Sequence, residues 1–337
     1  MPDQKTDRRA RRSAPDALSA GAQASGPVPA RGWTEAGLAL MVLIWAVNFS
    51  VVKIALDVFD PLGFNALRFL LASAFVFVVL RARGPVRWPD RRDIPRLILL
   101  GVVGNVLYQL GFIFGLDLTR AGNASLMLAL TPLFITLLSW RMGHEHPGPR
   151  TWLGGGCSVI GVALVSGSSL RLEGTALTLL GDAILIGAGM VWAFYTVGSR
   201  GMIQRYGSVQ TTAWTMWSGT VLLVALGLPS LAAQEWAAVN AFAWGGLFFS
   251  AFLSIGLAYL LWYRGVERIG NTRTSIYSNL TPAVALVVAA LALGERLTVL
   301  SVIGAALTIG GVMLVRGDTR RTGVAAQARE TLATAEP

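Results

Sequence analysis

Charge is scarce in this 337-residue chain: 14% of it is Asp, Glu, Lys or Arg, against roughly 25% in an average soluble domain. A chain of this length still needs a wetted surface. The deficit therefore excludes an ordinary cytosolic enzyme and a disordered protein. One cysteine, Cys157, excludes an internal disulfide and any dependence on an oxidising compartment. Only two histidines occur, His144 and His146. Flanking Glu145, they lack the i, i+4 spacing of a zinc helix and read as a solvated loop, so no metal is expected. No histidine falls in an apolar block, which argues against an intramembrane enzyme. No Gly-rich phosphate loop follows a strand, so neither ATP hydrolysis nor an ATPase subunit is called for. The polar–apolar alternation of a membrane β-barrel is also missing.

What is present is apolar residues, 54% of the total, in long blocks. About 20 such residues cross the hydrocarbon core as a helix. Ten blocks qualify: 35–56, 62–80, 94–114, 122–140, 151–168, 176–197, 211–228, 240–263, 272–293 and 299–315. The expected fold is an all-α integral membrane protein with ten transmembrane helices.

The net charge of +10 resembles a nucleic-acid signal until it is placed. Twenty-three of the 28 cations fall on one side of the ten spans, in residues 5–31, 81–96, 141–150, 200–205, 264–273 and 316–329. Arg120, Arg171 and Arg296 fall on the other, and Lys53 and Arg68 lie within spans. The positive-inside rule then puts both termini in the cytoplasm, and no nucleic-acid partner is needed. Residues 1–33 and 317–337 read as disordered cytoplasmic tails.

The halves repeat. Trp45-Ala46 and Lys53 match Trp192-Ala193 and Arg200 at an offset of 147. At an offset of 150, Leu130-Thr131-Pro132 matches Leu280-Thr281-Pro282, Glu145 matches Glu295, and Gly154 and Gly161 match Gly304 and Gly311. Five spans per half invert the second half in the membrane. Inverted-topology five-helix repeats over 34–168 and 176–316 imply a site near the midplane and alternating access.

On these motifs, together with Asn48-Phe49, Arg68-Phe69-Leu70 and Gly294-Glu295, residues 34–316 resemble the EamA-domain branch of the drug/metabolite transporter superfamily. His144-Glu145 replaces the usual Gly-Glu of the first half. The likeness is greatest to bacterial inner-membrane exporters of amino acids, aromatic ones included. It implies a secondary transporter with a small-molecule substrate, a lipid surround and no cofactor. Oligomeric state is not specified. Same-fold carriers of nucleotide sugars or cationic drugs remain alternatives; they call for basic or acidic cavities, of which the central spans show little.

Candidate cavity residues emerge from polar or aromatic character inside spans 1, 3, 4, 6, 8 and 9, the spans to which the resemblance points. Trp45 and Trp192 are repeat-related and can stack on substrate or pack on a helix. Asn48, Tyr108, Gln109 and Tyr259 can bond substrate or a neighbouring helix. Met127 is a pliable apolar contact. In span 9, Tyr277, Ser278 and Thr281 form a polar stripe that must face protein or water. Pro132 and Pro282 bend their helices, as static kinks or as gates, with Thr131 and Thr281 available to satisfy freed carbonyls. Intramembrane charges are functional candidates. Lys53 and Arg68 can attract a carboxylate or snorkel outward as anchors. Asp182 is a candidate for proton coupling or for an ion pair with either cation. Glu145 and Glu295 read as braces at helix ends.

Overall fold

The computed structural model describes residues 31–84, 86, 88–142, 148–173, 175–262, 264–265, 277, 280–311 and 313–314. Ser278, Glu145, both histidines, residues 1–30 and residues 317–337 lie outside the described residues, while 31–33 of the expected N-terminal tail open the first helix. Everything regular within them is helical. The segments are α1 (Arg31–Ala55), α2 (Pro61–Arg83), α3 (Ile94–Leu118), α4 (Ala121–Leu128 and Thr131–Arg141), α5 (Pro149–Glu173), α6 (Ala176–Tyr206), α7 (Ser208–Ala233), α8 (Ala241–Trp262), α9 (Thr281–Leu293) and α10 (Val299–Gly311). Among the described residues, α1 to α4 and α6 to α8 are each long and apolar enough to cross a membrane. Of the expected spans 272–293 and 299–315, the described residues include the apolar helices α9 and α10.

Local chemistry sets the ends. Asp60 caps α2 by accepting from the N–H groups of Leu62 at 2.9 Å and Gly63 at 3.3 Å, with Pro61 opening the helix; both are favoured there. Gly294 ends α9 with φ +65°, a left-handed conformation that costs glycine little.

The prolines sit beside tightened turns whose backbone stays right-handed helical: Ala129 has φ −64° and ψ −17°, Leu130 φ −71° and ψ −14°, and Leu280 φ −77° and ψ −21°. The regular α-helix of α4 stops at Leu128 and resumes at Thr131, with Pro132 in the first turn of the new piece. α9 likewise starts at Thr281 with Pro282 beside it. Tight i→i+3 bonds span both turns: Leu130 N–H donates to Met127 O at 3.2 Å, and Leu280 N–H to Tyr277 O at 2.9 Å. The sequence expectation that Thr281 supports a carbonyl is corrected here: its Oγ1 is buried without a hydrogen-bond partner. In α4, Thr136 Oγ1 donates to Pro132 O at 2.9 Å, a back-bond within the helix and not to a carbonyl that a proline has freed.

Two π-helical stretches lie inside α3 and α8, at Val102–Leu107 and Phe249–Leu257. Their positions correspond at the 150-residue offset. An i→i+5 turn inserts a residue and reorients the next turns of the helix, and such turns concentrate at functional sites. Tyr108-Gln109 and Ala258-Tyr259 come directly after the two stretches.

Helix pairs approach closely where side chains are small. A Cβ on Gly161 would stand 2.5 Å from Gly304 O, and one on Gly311 would stand 2.3 Å from Gly154 O. Between these contacts Ser158 Oγ donates to Thr308 O at 3.2 Å. As α5 advances from 154 to 161, its partner in α10 falls from 311 to 304, so the pair is antiparallel. Farther along the bundle, the Ser73 and Thr220 hydroxyls join α2 to α7 at 2.7 Å. Large apolar side chains such as Val78, Leu99, Ile160, Leu291 and Val299 are half or more exposed, as lipid-facing positions are.

Gly161→Val overpacks the α5–α10 seam, a change that typically costs about 1–3 kcal/mol. It is expected to lower the unfolding midpoint of the detergent-purified protein. Gly156→Ala, where a Cβ meets nothing within 4 Å, leaves the midpoint unchanged in the same thermal scan.

Candidate functional site

The centre is built around Arg68. Its side chain is 2% exposed and fully enclosed by α2, α3 and α8. Nη2 donates to Gln109 Oε1 at 2.6 Å and to Asn65 Oδ1 at 2.7 Å, and Nη1 donates to Ser250 Oγ at 3.2 Å. Phe64, Phe69 and Phe112 place their rings 5.5–5.7 Å from the guanidinium carbon. None of these partners carries a negative charge. Guanidinium stays protonated in proteins, so the centre holds an uncompensated cation. Cation–π contacts recover about 0.5–2 kcal/mol each; burying an ion without a counter-ion costs several.

Two expectations are corrected by this arrangement. Arg68 does not snorkel: it lies about 10 Å along α2 from Pro61 at 1.5 Å per residue, with its head turned inward. It also forms no ion pair with Asp182, because its partners are all neutral. Asp182 is instead buried against α3, accepting from Thr119 Oγ1 at 2.6 Å. Lys53 reaches the C-terminal carbonyls of α3, Leu116 O at 3.0 Å and Asp117 O at 2.5 Å. A cation there meets the negative end of the helix dipole.

Aromatic residues flank the cation on two sides. Trp45 packs edge-on against Tyr259 with ring centroids 6.1 Å apart, contacts Trp262 at 5.8 Å, and donates from Nε1 to Ser254 O at 3.1 Å. Tyr277 joins this cluster. On the other side Trp192 packs against Tyr108 at 4.7 Å and Tyr195 at 5.1 Å. Each repeat-related tryptophan thus meets an aromatic residue just after a π-helical stretch of the opposite half. Phe112 bridges inward, 6.3 Å from Tyr108 and 5.8 Å from Phe49. Met127 is fully buried in the adjoining apolar core. Asn48 Oδ1, Asn65 Nδ2 and Arg68 Nε are buried without hydrogen-bond partners, a costly state that is uncommon in native interiors.

The halves are clasped at both ends of the bundle. At one end Glu295 accepts from the N–H groups of Ala121 at 2.7 Å and Gly122 at 3.1 Å, so a carboxylate from the α9–α10 turn caps α4. Arg120 stands 3.8 Å from the same carboxylate and donates to Arg296 O at 3.3 Å. A depression of about 550 Å³ opens beside them, reaching Lys53, Asp57 and Thr119. At the opposite end Asp93 accepts from Tyr206 at 2.5 Å and Arg205 at 2.7 Å, with Asp90 paired to Arg205 as well. The brace expected of Glu295 is present. The second clasp was not anticipated; acidic residues in a basic loop were its only trace in the sequence.

A family model described as the EamA-like transporter family matches residues 32–167 and again 179–317. The chain belongs to that family. A "Probable terminal-alkyne amino-acid exporter" of Streptantibioticus cattleyicolor is 31% identical over 84% of this chain and 93% of its own. The "Uncharacterized transporter YyaM" of Bacillus subtilis is 30% identical over 81% and 90%. A "Probable amino-acid metabolite efflux pump" of Salmonella typhimurium is 27% identical over 82% and 92%. One protein crystal structure superposes with a TM-score of 0.62, covering 87% of this chain and 99% of that one at 18% identity; it shows likeness of fold alone. The chain is thus a member of a transporter family, and helices long and apolar enough to cross a membrane are what that membership requires.

Glu295→Ala removes two charge-assisted bonds at the start of α4. Losing such a cap costs about 0.5–2 kcal/mol. A drop of a few degrees in unfolding midpoint is expected by differential scanning fluorimetry, with Glu295→Gln, which keeps the acceptor, falling less.

Proposed function

We propose that the protein is a secondary transporter of the cytoplasmic membrane. It exports amino acids or closely related small metabolites by alternating access. Its ten spans form two inverted five-helix halves, 34–168 and 176–316, with both termini cytoplasmic. One observation carries the reading: the two repeat-related tryptophans each pack on a tyrosine of the opposite half, Trp45 edge-on to Tyr259 at 6.1 Å and Trp192 tilted against Tyr108 at 4.7 Å, on either side of a buried polar centre. A site built from both halves at mid-depth is what a carrier needs and what a one-sided enzyme cleft lacks.

The seams support the inversion. Ser73 touches Thr220, 147 residues on, and Ser158 touches Thr308, 150 residues on. These are the repeat offsets. A residue can contact its own repeat copy only on the axis relating the halves. Because α5 and α10 run antiparallel across that point, the axis lies perpendicular to the helices, in the membrane plane. The family model's two matches divide the chain in the same way.

In this reading the Glu295 end faces outside and the Asp93 end faces the cytoplasm, as the cation asymmetry requires. The clasped ends represent a closed form, and transport opens them in turn. The tightened turns at Pro132 and Pro282 let α4 and α9 move as pieces. Asn48, Gln109, Met127, Tyr277 and Thr281 line or support the cavity beside the aromatic pairs, with Ser278, outside the described residues, assigned to it from the sequence alone, while Lys53 and Asp182 brace α3. The relatives named as amino-acid exporters support the substrate class. A central cation disfavours cationic drugs by charge repulsion.

Counterflow in proteoliposomes tests this. Vesicles loaded with L-phenylalanine or L-leucine and holding the full chain are expected to accumulate the labelled amino acid transiently, several-fold above empty liposomes. No accumulation across the twenty amino acids would sink the amino-acid reading.

A further inference from the structure

Resting on that transport reading, we infer that Arg68 is the carboxylate anchor of the substrate site and that the carried species must present a free carboxylate beside an apolar or aromatic group. The donors around Arg68 outnumber the acceptors. Nη1 and Nη2 are engaged by neutral oxygens, but Nε–H has no acceptor, and neither has the Nδ2 of the adjoining Asn65, a residue fully removed from solvent. Unused buried donors around an unneutralised cation define a site for a group that only accepts and that carries one negative charge. A carboxylate is that group, with two oxygens and about four lone-pair sites.

The geometry is side-on. Nε and Nη2 share one edge of the planar guanidinium, the edge that binds a carboxylate with two parallel bonds. Nη2 already carries two amide oxygens, from Asn65 and Gln109. A carboxylate arriving on that edge takes the free Nε–H and replaces one amide. If Asn65 turns over, its NH2 group becomes a third donor to the same anion. Asn65, Gln109 and Ser250 thus hold the guanidinium in place between substrates with weak neutral acceptors, which a charged acceptor outcompetes.

The surroundings select the rest of the molecule. Phe112 lies under the guanidinium at 5.5 Å, and the Tyr108–Trp192 and Trp45–Tyr259 pairs stand to either side. A carboxylate seated on Arg68 places its attached carbon chain among rings, so aromatic and branched apolar groups fit. One cation neutralises one carboxylate. Phosphate esters and nucleotide sugars bring two or more charges into a centre that has a single counter-charge. At the 147-residue offset the second half has Thr215 where the first has Arg68, so the cationic anchor is single and comes from the first half alone.

The experiment is equilibrium binding to the purified full chain, read by tryptophan fluorescence, with four probes: L-phenylalanine, 3-phenylpropionate, L-phenylalanine methyl ester and phenethylamine. The wild type is expected to bind the two carboxylates, and to bind the ester and the amine about tenfold or more weakly. Arg68→Gln is expected to abolish that preference and Arg68→Lys to retain part of it, both checked as monodisperse by gel filtration. A merely structural Arg68 would weaken all four probes alike. Should Arg68→Gln fail to fold, the wild-type probe ranking and Arg68→Lys decide. Equal binding of carboxylates and phenethylamine, a preference surviving in Arg68→Gln, or no carboxylate binding overturns the inference. Counterflow of the same probes separates the two claims. Carboxylate binding without transport defeats the transporter reading and leaves the anchor standing. Transport that accepts amine and acid equally does the reverse.

Discussion

A buried guanidinium with no anion beside it is the constraint on which the centre depends. Lipid offers no hydrogen bonds, so every polar group at that depth must be satisfied from within the protein. Arg68 takes its partners from α2, α3 and α8 and its ring contacts from α2 and α3. Those demands fix how the three helices turn. They also fix where the aromatic residues stand, because the π-helical stretches of α3 and α8 end at Leu107 and Leu257, just before Tyr108 and Tyr259. The cation is thus the point at which packing and selectivity meet. A neutral residue in its place would pack at lower cost and read nothing.

Away from this point, the close contacts between helices are carried by small residues. Glycines bring α5 onto α10 within backbone contact, and paired hydroxyls bring α2 onto α7. Such seams suit lipid, where apolar bulk gives helices no reason to prefer each other over acyl chains and close approach supplies the attraction instead. They also suit movement. A hydroxyl pair and a few backbone contacts can be remade at small cost, whereas a deeply interdigitated leucine seam cannot. The clasps at the two ends are of the same kind: Glu295 holds two backbone N–H groups, and Asp93 holds one tyrosine and one arginine. The Asp90–Arg205 pair is more than half exposed and contributes little.

Much of this was legible in the amino-acid order because lipid imposes a simple rule. Apolar blocks and cation asymmetry gave the all-helical membrane character, and the Trp-Ala, Thr-Pro and Gly-Glu pairs gave the family. The glycines that matched in sequence, Gly154 with Gly304 and Gly161 with Gly311, reappear as cross-contacts. The depth of Arg68 was not legible. A cation six residues into the expected span 62–80 reads equally as a group that attracts a carboxylate or as one that snorkels outward, and only the inward turn of its head, fixed by Gln109 and Ser250 on distant segments, excludes the second. The π-helical stretches were hidden because they arise from tertiary packing, as where Gly104 admits the Tyr195 ring. The tightened turns were half legible: proline announces a disruption, but the form it takes depends on neighbouring bonds.

The central claim is that the two ends open in turn about a fixed core. Double electron–electron resonance measures this directly, with spin labels on Cys157→Ala protein. One pair, at Asp57 and Arg296, reports the Glu295 end, and another, at Arg91 and Ile203, reports the Asp93 end. The account predicts reciprocal shifts in the two distance distributions on adding L-phenylalanine, one lengthening as the other shortens. Both distances rising together, or neither moving in a preparation that transports, would contradict it.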